Sequence, residues 1–159
     1  MTRSTSDTPA LPGLPTVAMG GPISYAIFQL AKTHRATAGV FLREIGLHPG
    51  QELLLMRLRD DDRRTQAELV AELGLDASTV TRMVARLERQ GLIERTPSPH
   101  DGRATIVSLT ASGIARCEDV RNMWSELERV TTQGMSGNER DTFRALLESV
   151  AARLGTQPR

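Results

Sequence analysis

The 159 residues of the chain are 39% hydrophobic and 25% charged, a composition typical of one soluble globular domain rather than two. The formal net charge of +1 excludes a uniformly basic protein, so a nucleic-acid-binding surface has to concentrate its cations on one face. The single cysteine excludes an intrachain disulfide, and no apolar run is long enough for a membrane span or a signal peptide. These properties predict a cytoplasmic protein without a membrane partner.

The predicted elements begin after an N-terminal arm. Residues 1–21 are rich in Thr, Ser, Pro and Gly, so we expect them to be disordered. From Pro22 to about Ile45, apolar residues recur every three or four positions, which predicts one long helix with a continuous apolar seam. GLHPGQ ends that helix, and GQELLLMRLR predicts a shorter helix whose Leu-Leu-Leu-Met run indicates nearly complete burial.

Two short helices joined by a tight turn are predicted between residues 65 and 90. Thr65 and Glu68 have the spacing of a capping box, and Gly74 ends the first helix. Asp76 or Ser78 is placed to cap the second helix, which runs to about residue 90 and is followed by a glycine. This order of elements predicts a helix-turn-helix.

The second of these helices separates two faces when its residues are placed at about 100° each. One face is apolar and consists of Val80, Met83, Val84 and Leu87. Hydroxyls and arginines occupy the other face and its flanks: Ser78, Thr79, Thr81, Arg82, Arg86 and Arg89. Hydroxyls reach phosphates or either base type and arginine reads guanine, so we predict DNA contacts here, with Thr65 added from the preceding helix. The alternative interpretation is an ordinary solvated helix face.

A β-hairpin is predicted directly after this helix. LIERTP and ATIVSLT flank SPHDGR, whose Asp-Gly pair favours a tight turn. A hairpin in this position is a wing, and Arg103 at its tip is placed to enter a minor groove. Asp101 is placed to pair with that guanidinium, and His100 to contact a phosphate. The alternative is a surface hairpin whose exposed ion pair contributes little.

Two further helices complete the predicted elements. The first runs from about residue 111 to residue 133, and the second begins at Ser136 and Glu139, which have the spacing of a capping box. Together with the first helix they carry more apolar surface than a small winged helix can cover, which predicts a homodimer. A helix of 23 residues is about 35 Å long, close to the ~34 Å between half-sites one DNA turn apart.

Residues 22–155 resemble the multiple-antibiotic-resistance regulator (MarR) family. The resemblance rests on LVAELGLDASTVTRMVARLERQGLIER, on DGRATIVSLTASG and on GLHPGQELLL. It implies a mainly α fold with a small β-hairpin wing: a winged helix-turn-helix at 47–110 and a helical dimerisation region at 22–46 and 111–155. It also implies a homodimer that binds a pseudo-palindromic double-stranded DNA operator, usually as a repressor released by a small molecule.

The resemblance further implies a cleft for a small anionic or aromatic effector between the dimer helices and the DNA-binding lobe. His34 lies in the apolar seam of the first helix, Tyr25 and Arg35 flank it, and His48 begins the next helix. A histidine and an arginine near such a cleft can hold a carboxylate. The interpretation that we favour is a His34 hydrogen-bonded within the dimer interface.

No motif predicts an enzyme, a cofactor or a metal site. The sequence has no glycine-rich phosphate loop, no Cys/His metal spacing and no nucleophile elbow. Cys117 falls on an apolar stripe and is predicted to be structural rather than a redox switch, because family members that sense oxidants carry their cysteine on the first helix. The competing class is a winged helix that binds protein or dimerises without specific DNA binding.

Overall fold

A computed structural model describes residues 15–61, 63–99 and 104–155. The predicted fold class is confirmed, since long helices surround a small antiparallel sheet. The elements are α1 Pro22–Glu44, α2 Gln51–Asp60, β1 Arg63–Thr65, α3 Gln66–Leu73, α4 Ala77–Arg89, β2 Ile93–Pro97, β3 Thr105–Leu109, α5 Ala111–Thr131 and α6 Gly137–Gly155. Of the predicted N-terminal arm, residues 16–18 form a short 3-10 helix, and residues 1–14 lie outside the described ranges.

The sheet has the strand order β1-β3-β2. The predicted hairpin is confirmed, with β2 antiparallel to β3 and Arg95 opposite Val107. Strand β1, which the sequence analysis did not predict, pairs with the other edge of β3 and places Arg64 opposite the same valine. Three residues are too few to show an alternating pattern, so only the pairing with a distant strand defines this one.

Side-chain caps begin the helices where the sequence predicts them. Thr65 and Glu68 form a complete capping box, in which the Thr65 hydroxyl accepts from the Glu68 amide and the Glu68 carboxylate accepts from the Thr65 amide. Ser136 and Glu139 make the same pair of contacts ahead of α6. Of the two candidates for the cap of α4, Asp76 is the N-cap residue, so Ser78 lies inside the helix.

The hydrophobic core lies between α2, α3, α4, the sheet and the inner face of α5. In α2 the expected burial of the whole Leu-Leu-Leu-Met run was wrong: Leu54 and Leu55 are fully buried, but Leu53 and Met56 are each 39% exposed. Four consecutive helical residues span about 300° around the axis, so they cannot all face one core.

The start of α5 lies against the residue that precedes β2. Thr110 is the N-cap of α5, and its hydroxyl accepts from the Gly113 amide and donates to the Gly91 carbonyl. A Cβ built on Gly113 would lie 1.9 Å from the carbonyl oxygen of Leu92. In the Leu-Thr-x-x-Gly sequence, Thr110 therefore caps α5, and Gly113 is the one residue type that permits the close approach to Leu92.

Side-chain hydrogen bonds connect the C-terminal end of α1 to α4 and to α5. The Gln90 side chain, at the end of α4, donates to the Gly46 carbonyl at 3.1 Å. The Arg116 guanidinium of α5 donates to the neighbouring Ile45 carbonyl and lies 3.4 Å from the Asp119 carboxylate. The end of α1 is thus fixed to both α4 and α5.

Helices α1 and α6 leave a large apolar surface uncovered. We call it the terminal-helix surface, and it consists of Ile23, Ile27, Phe28, Leu30, Leu146, Leu147 and Leu154. Each of these side chains is at least 38% exposed, and α6, which the structure describes throughout, contains no buried residue. Within the described ranges, no helix is both long enough and apolar enough to cross a membrane.

Candidate nucleic-acid interface

Helices α3 and α4 form the predicted helix-turn-helix. Gly74 ends α3 in the left-handed conformation at a φ of +61°, and Asp76 begins α4 two residues later. On the inner side of α4, Val80, Val84 and Leu87 are fully buried in the core. This packing determines the rotation of α4 and leaves its opposite side to solvent.

The predicted DNA-contact residues of α4 lie on or beside that outer side. Ser78, Thr81, Arg82, Arg86 and Arg89 are exposed or half-buried along it, and Thr79 is half-buried at the flank. The one acidic residue inside α4, Glu88, accepts a charge-assisted hydrogen bond from Arg95 of β2 at 2.5 Å. This bond lowers the pKa of the Glu88 carboxyl and connects the wing to α4. The outer side is therefore cationic and rich in hydroxyls.

The Asp76 carboxylate organises the first turn of α4. It accepts from the Ser78 hydroxyl at 2.5 Å, from the Thr79 hydroxyl at 2.7 Å and from the Thr79 amide at 2.8 Å. The Ser78 hydroxyl first, and then the two Thr79 donors, hold the pKa of Asp76 far below its ordinary value. Asp76 is therefore an ionised acceptor throughout the neutral pH range.

Gln66, the first residue of α3, is a contact that the sequence analysis missed. Its side-chain amide donates to the Thr81 hydroxyl at 2.7 Å and so connects the outer sides of α3 and α4. Thr81 also donates to the Ala77 carbonyl at 2.7 Å. The available signal was a polar residue directly after the Thr65 cap, at the end of α3 that lies beside α4.

The three arginines of α4 are held differently. Arg82 donates to the Thr79 hydroxyl at 3.1 Å, and Arg89 donates to the Ala85 carbonyl at 3.3 Å. Arg86 and Arg82 both line a cleft of about 200 Å³ beside the start of α2. At the wing, the predicted contacts of the tip, His100, Asp101 and Arg103, lie outside the described residues.

The four predicted effector residues are not brought together. His34 is half-buried and lines a cavity of about 400 Å³ between α1, α5 and α6, whereas His48 lines the cleft beside α4. The Tyr25 hydroxyl accepts from Gln29 at 2.7 Å. Arg35 is exposed and donates to a carbonyl of its own helix at 3.3 Å. The two histidines therefore define two separate candidate ligand sites.

The cleft at His48 contains a buried polar group without a hydrogen-bond partner in the part of the chain that the structure describes. Gln51 is 1% exposed, and its Oε1 accepts from the His48 amide at 2.8 Å. Its Nε2 has no acceptor there. Burial of an unused donor is unfavourable.

Comparison with known proteins agrees with this geometry. A sequence profile described as the MarR family matches residues 42–104, from the end of α1 to the wing. The multiple antibiotic resistance protein MarR of Escherichia coli is 32% identical over 111 residues, which are 69% of this chain and 77% of that protein. The chain belongs to the MarR family.

Two further comparisons extend the similarity over most of the chain. The transcriptional repressor IacR of Pseudomonas putida is 27% identical over 135 residues, 83% of this chain and 81% of its own. The crystal structure of a cysteine-to-serine mutant of E. coli MarR in complex with operator DNA has a TM-score of 0.75 and 27% identity, and the match covers 86% of this chain and 98% of that one. The chain is therefore a DNA-binding transcriptional regulator of the MarR family and not an enzyme.

In this MarR-family chain, Cys117 has the surroundings of a structural cysteine. It is half-buried, and its thiol donates to the Leu55 carbonyl at 3.8 Å. Burial raises the pKa of the thiol, which keeps it protonated near neutral pH. A protonated thiol is a poor nucleophile, so the structure favours the packing role that the sequence predicts.

Proposed function

We propose that the protein is a homodimeric repressor that binds a pseudo-palindromic operator with its two α4 helices in successive major grooves. The observation that carries the proposal is the outer side of α4, where Arg82, Arg86 and Arg89 stand beside the hydroxyls of Ser78 and Thr81. Arginine suits guanine and phosphate alike. The repressor role is supported by the names of similar proteins such as IacR.

The division of the chain follows from where the apolar surface lies. We assign residues 47–110 to DNA binding and residues 22–46 and 111–155 to dimerisation, because the terminal-helix surface belongs to α1 and α6. For the wing that follows each α4 we keep three proposals from the sequence: Arg103 enters the flanking minor groove, Asp101 pairs with its guanidinium, and His100 contacts a phosphate. The Thr65 hydroxyl is already used in the capping box, so we assign its DNA contact to a lesser role.

Substitution of Arg82 by alanine tests operator binding. We expect affinity for an operator, selected from a random duplex library, to fall by about 5- to 150-fold, since one arginine–guanine contact contributes ~1–3 kcal/mol. Arg121→Ala is the matched control, because Arg121 is an exposed arginine of α5 that pairs with Glu118. Fluorescence anisotropy at several salt concentrations measures both. Equal affinity of the Arg82 variant and wild type would exclude Arg82 from the contact, and failure to select any operator would favour the alternative class, a winged helix that binds protein.

We further propose that a small aromatic acid binds in the cleft at His48 and weakens operator binding. Arg82 and Arg86 line this cleft and also belong to the outer side of α4, so a bound carboxylate competes with DNA for the same cations. The cavity at His34 is less suited, because the terminal-helix surface that borders it becomes covered in a dimer.

Benzoate, as a simple aromatic acid, distinguishes the two histidines. At ten times its dissociation constant it should stabilise the wild type by about 1.4 kcal/mol, measured as a rise in melting temperature. His34→Ala should keep this rise, and His48→Ala should lose most of it. The reverse pattern would place the effector in the cavity between α1, α5 and α6, and no rise in any of the three proteins would exclude aromatic acids of this size.

A further inference from the structure

The hydroxyl groups on the outer side of α4 have already used their hydrogens inside the protein. A hydroxyl has one hydrogen to donate and two lone pairs to accept with, whereas an ionised carboxylate and a carbonyl only accept. The Ser78 and Thr79 hydroxyls both contact the Asp76 carboxylate, and the Thr81 hydroxyl contacts the Ala77 carbonyl. In each of these three contacts the hydroxyl must be the donor.

Only the lone pairs of these hydroxyl oxygens are then available for hydrogen bonds with DNA. Thr79 uses one to accept from Arg82 and is half-buried. Thr81 uses one to accept from Gln66 and keeps one, while Ser78 keeps its lone pairs. The same argument determines the orientation of the Gln66 amide. The Thr81 hydroxyl has already donated its one hydrogen to a carbonyl, so the Gln66 atom that contacts it must be the donor Nε2.

Only part of a DNA duplex can donate to such oxygens. Phosphate oxygens, guanine O6 and N7 and thymine O4 all accept, whereas the major-groove donors are the amino groups at adenine N6 and cytosine N4. We propose that Ser78 and Thr81 read adenine or cytosine amino groups in the operator, with Asp76 and Gln66 as the positioning residues. This inference rests on the proposed operator binding and narrows the initial expectation that the hydroxyls reach phosphates or either base type.

Reorientation of the hydroxyls toward phosphate is unfavourable. For Ser78 it would remove a donor from the Asp76 carboxylate, which stays ionised and would then lie beside another anion, and for Thr81 it would remove the donor to the Ala77 carbonyl. The arginines of α4 already provide donors for phosphates and guanines. The outer side of α4 thus has separate groups for the two kinds of DNA atom: guanidinium donors and hydroxyl acceptors.

The test removes single amino groups from DNA and leaves the full-length wild-type protein unchanged. After an operator is selected from a random duplex library, each adenine of a half-site is replaced by purine and each cytosine by 2-pyrimidinone, which lack N6 and N4 amino groups. We expect affinity to fall about 3- to 10-fold at one or two positions, the range of one hydrogen bond. At one of these positions, removal of the amino group should leave the affinity of Thr81→Val unchanged.

Two further variants separate base reading from folding. Thr37→Val is the matched control, because Thr37 of α1 donates to the carbonyl four residues before it, as Thr81 does to Ala77. Asp76→Asn keeps a good helix cap but offers a single acceptor oxygen, so one hydroxyl is released to donate. We expect its selected sites to gain guanine or thymine at a position where the wild type selects adenine or cytosine.

The outcomes are distinguishable. If the wild type selects no sequence, operator binding fails and this inference fails with it. If a site is selected but every amino-deleted duplex binds with unchanged affinity, the inference alone is overturned. The inference is also overturned if Thr81→Val binds ordinary and amino-deleted DNA more weakly than wild type by the same factor at every position. The Thr81 hydroxyl then contacts something other than an amino group of a base.

Discussion

Replacement of Gly113 by alanine is expected to destabilise the protein by at least about 3 kcal/mol, the largest single-residue effect that we predict on folding. The added Cβ would lie 1.9 Å from the carbonyl oxygen of Leu92, well inside van der Waals contact. That oxygen accepts from the Thr110 amide, so it cannot move without breaking the bond at the start of α5. Either α5 shifts away from the sheet or the fold is lost.

Urea unfolding followed by circular dichroism measures this effect, with Gly137→Ala as the control. Gly137 is the first residue of α6, and a Cβ there meets no described atom within 4 Å. Alanine is the better helix former, so the control should be neutral or slightly stabilising. A Gly113 variant as stable as the control would contradict the close approach of α5 to Leu92.

Replacement of Leu147 by glutamate is expected to convert the dimer to a monomer and to weaken operator binding by about 100-fold or more, because two half-sites then no longer act together. Leu147 of α6 is 44% exposed in the single chain and lines the cavity together with Leu30 and Phe143. In the proposed dimer Leu147 would be covered, and burial of an unpaired carboxylate there is strongly unfavourable.

Light scattering after size exclusion measures the oligomeric state. Leu75→Glu is the control, because Leu75 is similarly exposed, at 36%, but lies in the turn between α3 and α4. It should remain dimeric. A dimeric Leu147 variant would place the dimer interface away from the terminal-helix surface, and a monomeric wild type would contradict the homodimer itself.

Local signals predicted much of the fold. The Thr65 and Ser136 capping boxes and the end of α3 at Gly74 depend on neighbours within a few residues, which sequence spacing shows directly. The apolar face of α4 was predicted for the same reason, since Val80 and Val84 recur at helical spacing and are fully buried. Residues that act within one helix turn can be assigned without knowledge of the tertiary structure.

Contacts between distant parts of the chain were not predictable in this way. Strand β1 exists because β3 pairs with it, and the Gln66–Thr81 hydrogen bond joins residues on two helices. The predicted effector residues show the same limit: His34 and His48 lie in separate sites because the turn that precedes α2 places His48 beside α4.

The bonds from Gln90 to Gly46 and from Arg116 to Ile45 have a mechanical consequence. If α1 rotates relative to the DNA-binding helices, the end of α1 that these bonds attach to α4 and α5 would be the pivot of the rotation. Helix α4 has 13 residues, so its DNA-facing N-terminus lies about 20 Å from that pivot. A rotation of about 10° displaces this end by about 3.4 Å, the rise of one base pair. In the proposed dimer, a small change in helix angle would therefore be enough to move the N-terminus of each α4 by the rise of one base pair.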